Sequence, residues 1–403
     1  MIAFVSVLET GLLVFCVCEL LASTAYPKMQ RQIFYLAFAF SFVWSTLKFA
    51  YGPDIITYIP LYRTIESPLG ILSQWGQTTF ESGFSLFTSL CKFSGLSFWA
   101  YTAVISTLYF VAIFLLLRKV SFYPTIALTI LLSLDSNLYL KEFRQCLAVT
   151  FFIFAILLFS NRKYFWSLLC FVACSTMHHS AIYIIFVTAL LYGLSNIRTD
   201  GRSYAVLALM LIILAAIPWG ILTSSIKVNL MTISDRTIQS LFEHLTVTSN
   251  GFQKIVIIYL ALICALAYYL QPERGSRTLH WMMWTVVFVI VLLSDYWFLL
   301  NRIRSYFLPF LVVYTSNVLD YKRVQHPTIS MSPIPRQVFG LLLLVFVAFD
   351  ALYSVPQSLK RQKYPTDDIS LIVGVNKHNE ELLTEKKMRR AIKYWENDFK
   401  AAN

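Results

Sequence analysis

Charge is scarce in this chain: Asp, Glu, Lys and Arg together make up 13% of the 403 residues, whereas 58% are hydrophobic. An ordinary soluble domain carries about 25% charged residues, so this composition excludes one and points to lipid as the solvent. Cysteine is sparse as well. Of the seven, Cys16, Cys18, Cys146, Cys170, Cys174 and Cys264 lie within apolar runs and Cys91 lies alone in a polar connection, which leaves no material for a disulfide framework. Small buried hydrophobes is the simpler reading of them. No basic stretch precedes the first apolar run and no small-residue cleavage site follows it, so the first helix is expected to be retained rather than removed as a signal peptide. The sequence also lacks a solenoid period, a low-complexity tract and a two-half repeat, the last of which speaks against a carrier.

What the chain has instead is a succession of apolar runs, each closed by a short polar or basic stretch. A bilayer core of about 30 Å needs about 20 such residues per helix, and about twelve spans can be placed. They run roughly over 2–21, 32–50, 97–117, 122–134, 143–159, 164–176, 180–194, 204–223, 252–270, 279–293, 303–319 and 338–353. The fold class expected is therefore all-α: a polytopic membrane domain over 1–354 and a polar, basic tail over 355–403. Within the tail, "EELLTEKKMRRAIKYWENDF" reads as an amphipathic helix with Leu382, Leu383, Met388, Ile392 and Trp395 available to one side.

Short loops retain Lys and Arg on the cytoplasmic side, which orients the chain. With Lys28 and Arg31 inside, Arg118/Lys119, Arg162/Lys163, Arg198/Arg202, Arg274/Arg277 and Lys322/Arg323/Arg336 fall inside too, thirteen charges in all. The outer segments carry ten, interleaved with acids such as Asp54, Glu66, Glu81, Asp135, Glu142 and Asp295. Twelve spans would put the tail outside although its "KKMRR" run favours the cytoplasm, so eleven or thirteen spans stay open. The net charge of +12 does not mean nucleic acid, because ten basic residues lie in the tail after Gln357 and topology accounts for the inside excess.

Four outer stretches hold most of the chemistry. In "YGPDIITYIPLYRTIESP", Asp54, Tyr58, Tyr62 and Glu66 recur every four residues and align on one helical face. Pro60 is expected to break that helix into two short interfacial turns, with the tyrosines at headgroup level or free to stack on a ligand. In "TTFESGFSLFTSL", Thr79 or Glu81 is placed to cap a helix. In "LDSNLYLKEFRQCLAVT", Arg144 stands about one turn inside an apolar span, at an insertion cost of about 2.5–3.5 kcal/mol unless it snorkels or meets a counter-charge such as Glu142 or Asp135. Its planar fork also suits phosphate oxygens. In "SDYWFLLNRIRSYFLPF", Arg302 and Tyr306 share a helical face and Arg304 points about 200° away from Arg302. Between these, "STMHHSAIY" sets His178 beside His179, about 100° apart on a helix and without the spacing of a zinc pair, so neither metal nor cofactor is expected. A buried histidine satisfied by a carbonyl and a base or donor to sugar are the two readings of that turn.

In order, Gly52-x-Asp54-x-x-x-Tyr58-x-x-x-Tyr62, Glu81-x-Gly83-Phe84, Arg144-Gln145-x-x-Ala148, His179-x-Ala181 and Arg304-x-Tyr306-Phe307-x-Pro309 resemble the EpsG-like family of bacterial polysaccharide polymerases, relatives of the Wzy O-antigen polymerases. The resemblance covers about residues 50–310 and leaves out the tail. It implies a GT-C-like glycosyltransferase that polymerises oligosaccharide repeat units carried on undecaprenyl diphosphate, at the outer face of the bacterial inner membrane, with neither metal nor nucleotide sugar. A flippase and a chain-length regulator are the further partners to expect. By the same resemblance Arg144, with Arg302 or Arg304, would hold the diphosphate, and Asp54 or His179 would accept the hydroxyl proton. Tyr58, Tyr62 and Tyr306 would stack on sugar or line a lipid portal, and Glu81, Glu142 and Gln145 would complete the substrate-binding set. A ligase shares nearly all of this logic; a flippase would carry its charges nearer the midplane.

Overall fold

The computed structural model describes residues 2–195 with short breaks, residues 297–317, the pair 370–371 and isolated positions between 382 and 392. The spans expected at 204–223, 252–270, 279–293 and 338–353 lie outside the described residues, as do Asp54 and Asp295. The chain divides into two compact units, 1–181 with 333–403, and 182–332.

Every expected span that falls within the described residues is a helix. These are α1 (Ile2–Ser23), α2 (Pro27–Thr46), α6 (Phe98–Val120), α7 (Pro124–Leu134), α9 (Phe143–Ser160), α10 (Tyr164–Met177), α11 (Ser180–Ser195) and a helix over Trp297–Asn317. Shorter helices join them: α3 (Ile55–Thr64), α4 (Pro68–Ser73), α5 (Ser82–Phe93) and α8 (Ser136–Leu140). Two of these helices, α6 and α9, are long and apolar enough to cross a membrane, and α7 and α10 are shorter apolar helices. One exception to all-helical structure is a two-residue antiparallel pairing of β1 (Lys48–Phe49) with β2 (Ser370–Leu371). Before it, α2 ends earlier than expected, at Thr46, whose hydroxyl donates to the Phe42 carbonyl.

Pro60 does not split α3. The helix runs through it from Ile55 to Thr64, with Pro60 sixth of its ten residues, and forfeits only the one bond that a proline cannot donate. Nor do Tyr58 and Tyr62 sit at the surface: both are buried. The Tyr62 hydroxyl donates to the Leu96 carbonyl at 2.6 Å and its ring lies 5.1 Å from that of Tyr101. Burial pushes this phenol up to about 12.

Hydrogen bonds gather three of the basic loops at one end of the first unit. Gln30 Nε2 donates to the Phe122 carbonyl at 2.6 Å, and Lys119 Nζ donates to Asn161 Oδ1 at 2.6 Å and to Ser160 Oγ at 2.9 Å. At the α9–α10 turn Arg162 takes φ 62°, a left-handed conformation that costs a non-glycine residue about 1–2 kcal/mol. The turn holds because the N–H groups of Asn161, Arg162 and Lys163 all return to the last carbonyls of α9. A tie missing from the sequence reading joins α1 to α7: the buried Glu19 carboxylate accepts from the N–H groups of Thr125 at 3.1 Å and Ile126 at 3.0 Å, capping a helix whose first residue is Pro124.

In the tail, Leu382, Thr384, Glu385, Met388, Arg389 and Ile392 are helical, with Leu382 and Ile392 exposed and Arg389 paired to Glu385 one turn back. In the second unit, helix Trp297–Asn317 is continuous through Pro309 and buries Tyr306, Phe307 and Phe310.

Candidate functional site

The α9–α10 hairpin sets the site. Its register is fixed by two side chains of α10 that donate to backbone carbonyls of α9: Ser167 Oγ to Ala155 at 2.8 Å and Cys174 Sγ to Ala148 at 3.1 Å. Carried one turn further, the same register sets His178, the first residue after α10, opposite Arg144, the second residue of α9. Because α9 has 18 residues, this end lies about 27 Å from the turn that holds Arg162.

The third component comes from α5, which approaches α10 at Gly83. A Cβ at Gly83 would overlap the Thr176 side chain and come within 2.8 Å of the Thr176 carbonyl, so glycine is what permits the approach. Two residues earlier, Glu81 occupies the N-cap position of α5 but makes no capping bond with its side chain. The carboxylate is spent elsewhere. Its Oε2 accepts from Arg144 Nη1 at 2.9 Å and its Oε1 stands 2.8 Å from His178 Nδ1, while the His179 backbone N–H reaches Oε1 at 3.4 Å. Capping, expected from the spacing, gives way because the Arg144 guanidinium and the His178 ring together hold the buried carboxylate more strongly than backbone N–H groups of its own helix.

Aromatic rings close around the guanidinium. Arg144 lies over the Phe80 ring with Cζ 4.8 Å from the centroid, and its Nε donates to the Tyr58 hydroxyl at a long 3.4 Å. Tyr58 is in turn packed on Phe143 at 5.0 Å and Phe84 at 5.8 Å. The Glu81 side chain is 4% exposed and that of His178 8%, against 29% for Arg144. Burial alone would raise the Glu81 carboxyl, but the His178 hydrogen bond and the Arg144 charge outweigh it and hold the group well below the usual carboxylate range. The acid therefore stays ionised, and the guanidinium keeps an accessible edge.

Of the residues singled out from the sequence, Tyr58, Glu81 and Arg144 come together. Glu142 is half-buried at the N-cap position of α9 without a side-chain capping bond, and Gln145 is buried one turn into that helix. His179 contributes its backbone, and its side chain is exposed; the imidazole at the carboxylate is that of His178. Tyr62 serves the packing of α3 as described. Arg302 and Arg304 are both half-buried on the helix of the second unit that buries Tyr306. Sequence reasoning did not find His178 or Phe80 as members of the site. Gly83 was the available signal, since a glycine within a helix permits the close approach of another backbone.

A family model matches residues 32–363, a stretch that takes in Tyr58, Glu81, Arg144, His178 and Arg304. The chain belongs to the EpsG family. That family comprises Wzy-like, polysaccharide-polymerase-related proteins, and membership together with the apolar helices places the chain among membrane proteins of polysaccharide biosynthesis. No curated protein and no solved structure matches this EpsG-family chain.

Proposed function

We propose that the chain is an oligosaccharide repeat-unit polymerase, a glycosyltransferase that joins lipid-diphosphate-linked units into a surface polysaccharide at the outer face of a bacterial inner membrane. The observation that carries this reading is the Arg144 guanidinium, held at the head of an apolar helix by a buried, ionised Glu81. Transfer of a sugar from a lipid diphosphate requires stabilisation of the departing diphosphate, and a pre-placed cation supplies it without reorganisation. Arg144 is fixed by Glu81 and Phe80, presents donors in a planar fork, and lies at the positive end of the α9 dipole. Such a position at the end of a span matches the depth of a lipid phosphate. With the basic loops inside, this end faces outward. Arg304 is proposed as needed for polymer formation on the strength of its Arg-x-Tyr-Phe-x-Pro run.

A gel of lipid-linked and surface glycans from a deletion strain tests the reading. Single repeat units accumulating on the lipid carrier support a polymerase. Long unattached chains would make the protein a ligase, and absence of units at the surface a flippase.

A further inference from the structure

We infer that the cleft between the last turns of α6 and α9, at the basic-loop end of the first unit, holds one anionic phospholipid, with its phosphate against Arg118 and Lys119 and the top of an acyl chain along Leu115, Phe154 and Leu158. The inference does not depend on the polymerase reading and needs only that α6 and α9 lie in a bilayer.

The cleft has a volume of about 420 Å³, within the range of about 300–1,000 Å³ common to ligand sites. Its walls are two helical faces. Leu115, Arg118 and Lys119 recur at i, i+3 and i+4 on α6, and Phe154, Leu157, Leu158 and Asn161 at i, i+3, i+4 and i+7 on α9 and its C-cap. Each face is apolar toward the middle of its helix and polar at the end, so the cleft grades from hydrocarbon to charge within about 10 Å, as a phospholipid does. Leu115 is exposed and Phe154 and Leu158 are half-buried, and on helices apolar enough to cross a membrane that exposure is to lipid. Tyr164, Phe165 and Trp166, all exposed, begin α10 just beyond the same turn and mark the headgroup level.

The charges suit an anion in that layer. Lys119 Nζ spends two of its three donors on Ser160 Oγ and Asn161 Oδ1, which ties the two helices across the polar end and leaves a third. Arg118 is exposed and, among the described residues, has no hydrogen-bond or ion-pair partner, so its planar fork is open to a phosphate. Among the described residues no Asp or Glu lines the cleft, so a zwitterionic lipid would bring its ammonium group beside two cations with no anion to pair it. Basic pockets between spanning helices recognise anionic headgroups in this way. The 18 residues of α9 put this end about 27 Å from Arg144, which separates the cleft from the proposed site of transfer.

The test places the full-length protein in nanodiscs of phosphatidylcholine with increasing phosphatidylglycerol, and reads bound lipid by native mass spectrometry beside the thermal midpoint. Wild type is expected to retain phosphatidylglycerol over phosphatidylcholine, with a midpoint that rises with its fraction. Arg118→Gln removes the open fork at an exposed position and should weaken retention roughly tenfold, the worth of a hydrogen bond to a charged group. Leu115→Trp leaves the charge unchanged, fills the cleft from an exposed position and should weaken retention as well. Arg31→Gln removes an equal charge from an exposed position on α2 outside the cleft and should keep it. Equal retention of the two lipids by the wild type would overturn the inference. So would equal losses in Arg31→Gln and Arg118→Gln, or full retention in Leu115→Trp, either of which would reduce the preference to general surface charge. Inorganic phosphate reproducing the midpoint shift would replace the lipid with a free anion, and displacement of phosphatidylglycerol by a polyprenyl diphosphate would make the cleft a substrate groove; each result overturns the inference.

Discussion

Glu81 and Arg144 are 63 residues apart in the chain, and their side chains meet at 2.9 Å with the acid buried and the base part-exposed. The asymmetry assigns the roles. Glu81 is committed on both oxygens, whereas Arg144 turns an edge outward, so the acid acts as holder and the guanidinium as the group held out.

Arg144→Lys preserves the charge but removes the fork, the contact through Nε to Tyr58 and the flat face over Phe80. Polymer formation should be mostly lost at a normal level of membrane-inserted protein. A glycan gel beside an immunoblot reads both, and full activity in the lysine variant would leave Arg144 as a charge that merely reaches the membrane surface.

At Gly83 the α5–α10 contact is tight enough that a methyl group must displace Thr176. Gly83→Ala should lower stability by about 1–3 kcal/mol and draw Glu81 away from His178. Adding Thr176→Ala should recover only part of the loss, since the Thr176 carbonyl also stands within 2.8 Å of the new carbon. Thermal unfolding of the purified variants is the measurement, and an unshifted Gly83→Ala midpoint would contradict the contact.

Acid should undo the site in a defined direction. The folded Glu81 carboxyl lies below the unfolded glutamate value of about 4.3, so its stabilisation is fully present above that value and is lost as pH falls toward the folded one. Wild-type stability should decline from about pH 4 downward through this group. Glu81→Gln should be less stable at neutral pH and show a shallower acid dependence over the same window. Parallel acid curves for the two proteins would remove Glu81 from the account.

Helix Trp297–Asn317 keeps Arg302 and Arg304 about 200° apart around its axis, and their similar burial does not rank them. Arg304 matches the family-like run, and its loss should raise the barrier by about 2.7–4 kcal/mol, roughly a hundred- to thousand-fold in rate. Arg304→Ala should therefore abolish visible polymer while Arg302→Ala retains much of it. The reverse ranking would show that the other face of the helix carries the function.

Local pattern made the helices legible and long-range pairing hid the site. The run beginning at Phe143 predicted α9 within one residue, because an apolar stretch flanked by Glu142 and by Asn161–Lys163 has few other ways to satisfy its backbone. Pro60 misled, since in α3 the breaker forfeits one bond rather than the helix. For Arg144 the sequence offered Glu142 and Asp135 as the nearest acids, and the structure chose Glu81. His178 and Glu81 lie 97 residues apart, and only the α9–α10 register, with the close approach at Gly83, brings them together. Between two adjacent histidines, periodicity had no means of choosing: His178 is extended where α10 ends, which turns its ring to the carboxylate.

The Glu19 tie bears on how the protein is made. Its backbone partners at Thr125 and Ile126 are synthesised 106 and 107 residues later, which at ribosomal speed leaves a wait of roughly 5–20 s. During that interval the ionisable side chain of Glu19 in the apolar stretch of α1 has only Gln30 of α2 to meet it, while α7, at 11 residues, is too short to cross the bilayer unaided. Each helix lacks what the other supplies. The expected consequence is that α1 stays with the translocation machinery until α7 emerges, and that the two enter the lipid as a pair rather than in the order of their synthesis.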